Sequence, residues 1–576
     1  MVDKKHLIER GYFPKELPPP FNTSKLAQNI DGVMSSWDTI FEQNTDQNNP
    51  HFVLANTGLT PKQQIKNFKA KHGASTTINF SISKGNLRRF LGIPNPNQYI
   101  YLVKEIADNW NQFEVVFNLS KYSQSQPIPT TDLTNPTKRS ISTRSENVND
   151  FRDHKITTSL HKSIEIFVDI SKFYPTIYTH SITWAFLGKE KAKQYWKQKE
   201  ILDNLISNGD NDAILYKLAD KIDTYIRNCQ DRQSIGIPIG PDTSHIIAEL
   251  IACRIDIMLK ESCNPIDLRG CRYFDDYYLY VSTRDEAEKV LKILQKILTD
   301  FQLEVNESKV AIKEFPFSFE DEFVLVLNQF QFGEINSINN VIHYFSLVWG
   351  LVDKNPQKSH SIFRYALKTF EFRSIKITQT NWEIFENLLL KSALIEPSIL
   401  DVVTRILLTY QNYFNAETRI KLKKVIEMVI ENHSQLKNSF EVAWALWLAK
   451  TFQIEIEYSI VNSVINMKDS ISLLILLDIL QDRNLIAQYS NLFIVLEQDL
   501  TEDVFNSDLW LFAYEGIKKG WISSSNPNLI SDNHFFKILQ DLDIDFYNRE
   551  NQVQHFAEQL ESTQEVQSSL NEFSIY

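Results

Sequence analysis

One ten-residue run, Arg272-Tyr-Phe-Asp275-Asp276-Tyr-Tyr-Leu-Tyr-Val281, constrains this chain more than any other. Two adjacent carboxylates sit between two β-favouring, mostly aromatic stretches, the pattern of a hairpin with the acid pair at its tip. Adjacent acids on a tight turn repel each other. Either the pair is an ordinary Asp-Asp β-turn, or a divalent cation compensates it. A third carboxylate would favour the second reading.

Residues 164–174 provide one. Ile164, Ile166, Phe167 and Val168 form an apolar, β-branched run into Asp169, which then breaks into Ser171-Lys172-Phe173-Tyr174-Pro175. This reads as a buried strand ending in an acid, followed by a turn into a helix. Two strands that each deliver an acid at one end can pair so that Asp169, Asp275 and Asp276 converge. Hard oxygen ligands suit Mg2+ or Mn2+ better than zinc. Two such ions, about 4 Å apart, activate an attacking hydroxyl and stabilise leaving pyrophosphate. That is nucleotidyl-transfer chemistry.

These segments resemble reverse transcriptases. Tyr273-Phe-Asp275-Asp276 is similar to their Tyr-x-Asp-Asp motif, and Asp169-Ile-Ser-Lys-Phe-Tyr174 to their first catalytic motif. Gly236-Ile-Pro-Ile-Gly240-Pro-Asp-Thr-Ser is similar to their Gly-rich loop before a helix, and Leu303-Glu-Val-Asn306-Glu-Ser-Lys309 to their Leu-x-x-Asn-x-x-Lys block. The four blocks stand in the family's order. Phe173-Tyr-Pro-Thr-Ile-Tyr-Thr-His-Ser-Ile182 with Trp184, and Gly11-Tyr-Phe-Pro-Lys-Glu-Leu-Pro-Pro-Pro-Phe21, resemble stretches of abortive-infection and other defence-associated bacterial reverse transcriptases.

The resemblance implies an α+β, right-hand polymerase fold with fingers and palm, followed by an all-α domain. It implies Asp169 and Asp275 as shared metal ligands, with Asp276 a weaker or outer-sphere one. Tyr174 matches a steric gate that selects dNTPs over rNTPs, against the plainer reading of a core tyrosine under the turn. Lys309 is placed to protonate leaving pyrophosphate, though an exposed lysine after a strand is also common. Gly240 permits close approach of nucleotide or template. Arg139, with Lys138, is a candidate triphosphate clamp from its position upstream of Asp169.

One departure stands out. Many relatives have Gln before the second glycine of that loop, whereas this chain has Ile239, a hint of loosened template reading. The group includes enzymes that make DNA untemplated, primed from a protein tyrosine, and others that copy a partner noncoding RNA. Both readings stay open here, as do the identity of a priming tyrosine, Tyr12 included, and a homo-oligomer. A third reading is a degenerate palm whose helices bind a partner. Retention of all three acids argues against it.

Length and composition set outer bounds. A chain of 576 residues exceeds one ordinary core, and 43% apolar residues with 15 Gly and 19 Pro mark it as globular. Neither a leader nor a membrane-spanning run is expected, and Cys229, Cys253, Cys263 and Cys271 read as reduced thiols of a cytoplasmic protein. The net charge of −12 is unevenly spread. Residues 501–576 hold 4 Lys/Arg against 13 Asp/Glu, whereas residues 151–200 hold 9 against 5. A basic catalytic half with an acidic tail region is compatible with local handling of polyanions.

The expected organisation is an N-terminal and fingers region (1–154) that mixes short helices and turns and ends in a long polar loop (119–150). A palm (155–322), a helical HEAT-like domain (323–555) and a polar tail (556–576) follow. Residues 284–301 carry the apolar spacing of an amphipathic helix. Helical periodicity over Val341–Val352, Asn381–Leu394, Ser398–Tyr410, Arg419–Glu431, Phe440–Phe452 and Asp508–Lys519 suggests stacked helix pairs. Trp444/Trp447 and Trp510/Tyr514 are either a packing seam or base-stacking platforms.

Overall fold

The computed structural model describes residues 2–52, 59–85, 87–131, 138–332, 337–372 and 375–552. The tail expected at 556–576 and residues 132–137 of the polar loop lie outside them. Strands β1 (Ile78–Lys84) and β2 (Leu87–Ile93) form an antiparallel hairpin, and β3 (Pro127–Pro129) pairs with β4 (Ile141–Thr143). A four-stranded antiparallel sheet holds β5 (Ile164–Asp169), β6 (Arg269–Tyr273), β7 (Asp276–Val281) and β8 (Ala311–Glu314) in the order β6-β7-β5-β8.

The apolar residues of β5 explain its central place. Ile164, Ile166 and Val168 are buried, and the strand is paired on both edges, as an almost wholly apolar strand must be. The helix Arg284–Asp300 packs against β5 and β7. It begins in a capping box between Thr283 and Glu286 and buries Ala287, Val290, Leu294, Ile297 and Leu298, the stripe expected from the sequence.

Two expectations for the first 150 residues need correcting. The N-terminal region is not only helices and turns, because it contains the β1–β2 hairpin. The alternation Ile78/Phe80/Ile82 ahead of a Gly85-Asn86 dipeptide carries that signal. Nor is the segment after residue 119 simply a loop. The Arg272 N–H donates to the Tyr122 carbonyl at 2.7 Å, and the Gln124 N–H donates to the Arg272 carbonyl at 2.8 Å. This covers the outer edge of β6, whose backbone groups otherwise lack a neighbouring strand.

From Glu322 to Asp541 the described residues form helices and 3-10 turns and no strand. Ile338–Lys354 pairs with Ser359–Phe372, Trp382–Ile395 with Leu400–Thr409, Ala416–Ser434 with Ser439–Thr451, and Tyr458–Met467 with Ser470–Asp482. Each helix also packs on its counterpart in the next pair. Trp444, Trp447, Trp510 and Tyr514 are buried, which makes them the seam of this stack rather than an open platform. The stack returns to the start of the chain. The Trp37 indole donates to the Phe535 carbonyl at 3.0 Å, Lys25 pairs with Asp543 and Asp545, and Phe21 bridges Tyr547. All four cysteines are buried and unbridged. No helix among the described residues is long and apolar enough to cross a membrane.

Candidate active site

The hairpin between β6 and β7 turns on two residues, Phe274 and Asp275, so Asp276 already belongs to β7. Register pairs Asp276 with Asp169 at the end of β5, which places two acids side by side on neighbouring strands. Asp275 is joined to the same point through its carbonyl, which accepts from the Ile170 N–H at 3.1 Å. The three acids expected to meet are therefore brought to one end of the sheet.

Their electrostatics agree. Burial pushes the Asp275 carboxyl up, and the Asp169 charge adds to this. A backbone N–H and the cations of Lys84 and Arg89 pull the other way. Asp276 is pushed up to about 7, first by burial and then by Asp275 and Asp169, against the opposing pull of Lys309 and Lys84. Its buried Oδ1 has no hydrogen-bond partner. Lys309 donates to Asp169 Oδ2 at 2.6 Å. Burial opposes its charge, but the bond to Asp169 and the charges of Asp276 and Asp275 prevail and raise its pKa.

Among the described residues no three His, Cys, Asp or Glu side chains stand close enough together to chelate a metal ion. The donor set nevertheless fits a hard divalent cation. It consists of three mutually repelling carboxylates, one with a buried oxygen lacking a donor, and the cations of Lys84, Arg89 and Lys309 act on them.

Local folding brings the remaining expected residues close. Asn306 N–H donates to the Asp169 carbonyl at 2.8 Å, and Lys309 N–H to the Asn306 carbonyl at 2.9 Å, which fixes the Asn306/Lys309 block under Asp169. Tyr174 lies on the short helix Phe173–Thr176, half-buried, and its carbonyl accepts from Ile237 N–H at 3.0 Å. The Gly236–Gly240 loop is thereby laid across Tyr174. At Gly240 φ is +115°, and an added Cβ would come within 2.9 Å of Pro14, so only glycine lets the N-terminal segment approach the loop.

Arg139 does not present open donors to a triphosphate. It pairs with Asp242 at 2.7 Å and donates to the carbonyls of Phe13 (2.5 Å), Gly240 (2.8 Å) and Gly11 (3.2 Å). It clasps the N-terminal segment to the glycine loop. Tyr12, in that segment, is fully buried; its hydroxyl donates to the Pro94 carbonyl and its ring stacks on Tyr99.

Sequence reasoning overlooked two groups. Lys84 and Arg89, on the β1–β2 hairpin, are the cations felt by Asp275. Burial lowers the Lys84 pKa, helped by Arg89 and opposed by Asp275. Beneath the Phe274–Asp275 turn, Arg272 is wholly buried between Glu249 (2.6 Å) and Asp256 (2.8 Å) of the helix Asp242–Ser262. Its Nη1 donates to the Phe274 carbonyl at 2.9 Å, and Ser125 Oγ accepts from the Phe274 N–H at 2.7 Å. Phe274 has a φ of +52°, a left-handed conformation that a bulky residue holds only when its surroundings enforce it. The Arg272 cluster and Ser125 provide that enforcement.

Residues 106–332 match the family model described as reverse transcriptase (RNA-dependent DNA polymerase). They span the whole β5–β8 sheet and all three acids. No curated protein matches the chain. Solved structures similar to it include apo telomerase from Candida tropicalis, with 11% identity over 79% of this chain and 72% of that one and a TM-score of 0.30. Telomerase from Candida albicans in complex with a fragment of telomeric RNA has 11% identity over 71% and 68%, with a TM-score of 0.27.

Proposed function

We propose that the chain is a DNA polymerase of the reverse-transcriptase type that joins dNTPs by nucleotidyl transfer, resembling abortive-infection enzymes that act against phage. The observation that carries this is the pairing of Asp276 with Asp169 across β5 and β7, with Asp275 on the turn and Lys84, Arg89 and Lys309 as the neighbouring cations. Asp169, Asp275 and Asp276 would hold Mg2+ or Mn2+, which when bound supplies charge neutralisation and hydroxyl activation. Lys84 and Arg89 bring positive charge to a triphosphate beside those acids. Lys309, its pKa raised, keeps a proton at Nζ to give to pyrophosphate. Tyr174 sets its ring against the sugar.

Synthesis without a template is the finer reading we favour, on the state of Ile239. That side chain packs against the core, and its carbonyl accepts from the Gly92 N–H at 2.7 Å, so the position is part of the framework. A primer tyrosine, if one is used, is not Tyr12, which is enclosed.

The test is to incubate purified protein with Mg2+ and each labelled dNTP, with and without RNA, and to follow label on nucleic acid and on protein. Incorporation that is abolished in Asp275→Ala/Asp276→Ala and resists RNase pretreatment is the expected result. Loss on RNase treatment would replace the untemplated reading with the RNA-templated one. No incorporation under any condition would overturn the polymerase reading.

A further inference from the structure

We infer that Glu441, in the helical stack, is a positioning residue for the nucleotide pocket: through Arg88 it fixes the β1–β2 hairpin that carries Lys84 and Arg89. The inference rests on the polymerase reading above and adds a remote residue to it.

The hairpin needs an anchor. It is a two-stranded sheet joined to no other named strand, and such a unit is marginal by itself. Consecutive strand residues point to opposite faces. Arg88 and Arg89 therefore divide the work: Arg89 lies within electrostatic reach of Asp275, and Arg88 turns away from it. The Arg88 guanidinium meets Glu441 in a two-pronged pair at 2.6 and 2.8 Å, and also donates to the Ser81 hydroxyl and carbonyl, both at 2.9 Å, on the facing strand. Glu441 is 1% exposed and lies on the helix Ser439–Thr451, which packs on β1. Its carboxylate thus reaches both strands through one guanidinium.

A second grip lies at the tip. Gly85 has a φ of +59°, and an added Cβ would stand 2.4 Å from the Gln357 carbonyl oxygen of the turn Pro356–Lys358. The backbone of the hairpin tip is therefore pressed against the stack. Phe80 meets Phe440, the neighbour of Glu441, with ring centroids 6.2 Å apart. Three contacts from the helical stack converge on the element that brings two cations to the catalytic acids, and only the Glu441 contact is ionic and bidentate.

The test uses the full chain with Mg2+ and dNTPs. Glu441→Gln and Arg88→Gln are each expected to raise the nucleotide KM about tenfold with kcat changed less than twofold. The double variant should be no worse than either single one, as expected of partners in one interaction. Glu386→Gln, which breaks another buried pair of the stack (with Lys421 at 3.1 Å), should leave KM unchanged. Hydrogen exchange is read in parallel, and residues 78–93 should lose protection in Glu441→Gln. Unchanged protection there, an unchanged KM, or an equal rise in Glu386→Gln would overturn the inference. Wild-type protein that incorporates nothing would instead overturn the polymerase reading, leaving hydrogen exchange to decide the mechanical link.

Discussion

Replacing Arg272 with Met should be among the most damaging single changes to this chain, and its cost can be worked from the structure. The guanidinium, Glu249 and Asp256 are all shut off from solvent. Burial alone would raise the Glu249 carboxyl, yet the charge and hydrogen bonds of Arg272, with Ser123 and His245 assisting, hold it at about 2. Arg272→Met leaves two buried carboxylates without a cation, and breaking a buried pair in this way costs about 3–5 kcal/mol. At about 2–4 °C per kcal/mol for a domain of 150–250 residues, the first melting transition should fall by about 6–20 °C. In the wild type the depressed Glu249 pKa contributes stability above the unfolded value, which is lost as pH falls through about 2. In the variant the sign reverses. A buried, unpaired carboxyl binds its proton more tightly folded than unfolded, so its penalty is full at high pH and fades as pH falls toward the unfolded value. The melting gap between variant and wild type should therefore narrow from pH 8 to pH 5, and Glu249→Gln in the Arg272→Met background should recover part of it. Differential scanning calorimetry across that range is the assay. A variant melting within 2 °C of wild type, or a gap that widens in acid, would refute the reasoning.

Other outcomes follow from the same geometry. Lys309→Met should lower kcat about a hundredfold or more by removing the proton donor proposed above, while circular dichroism stays native. Tyr174→Ala should raise ribonucleotide use relative to dNTPs by about tenfold to a hundredfold, measured as a ratio of kcat/KM. Glu515, buried in the helical stack, is pushed up to about 7 mainly by burial, so its ionised form burdens the fold above that pH and not below the unfolded value near 4.5. Glu515→Gln should therefore gain up to about 3 kcal/mol at pH 8 and less than 1 at pH 5, read from melting at both.

Local pattern explains which parts were legible in the sequence. β5, the acid turn and the helix 284–300 each announce themselves within a dozen residues, through β-branched runs, a strand break or a 3.6-residue stripe. The helix pairs were visible for the same reason, although Ser359–Phe372, Tyr458–Met467 and Ser470–Asp482 passed unnoticed. The last is apolar nearly all round, which erases the period. The supports of the site were not legible. Glu249 and Asp256 stand seven apart on one face of a largely apolar helix, a signal that two acids share a partner, but nothing nearby identifies Arg272 as that partner. Ser125 meets Phe274 across 149 positions, and Arg88 meets Glu441 across 353. Arg139 shows the converse error. Its place before Asp169 invited a role in binding phosphate, whereas Asp242 and three carbonyls gather its donors.

The return of the helical stack to the N-terminal segment has a consequence in time. Trp37 finds the Phe535 carbonyl across 498 positions, and Asn22 and Lys25 find Phe546 and Asp545 across comparable spans. On a ribosome adding about 5–20 residues per second, the helix Ser24–Thr45 emerges about 25–100 s before the residues that cover it. Leu26, Ile30, Val33 and Trp37 spend that interval without part of their final surroundings. The hairpin β1–β2 waits similarly for Glu441. Chains released after Asp276 but before Tyr547 would thus carry Asp169, Asp275 and Asp276 on an unfinished scaffold. Enzymatic competence would then arrive only with the last helices, and pulse-labelled nascent chains should show protease resistance of residues 24–45 appearing at that point and not earlier.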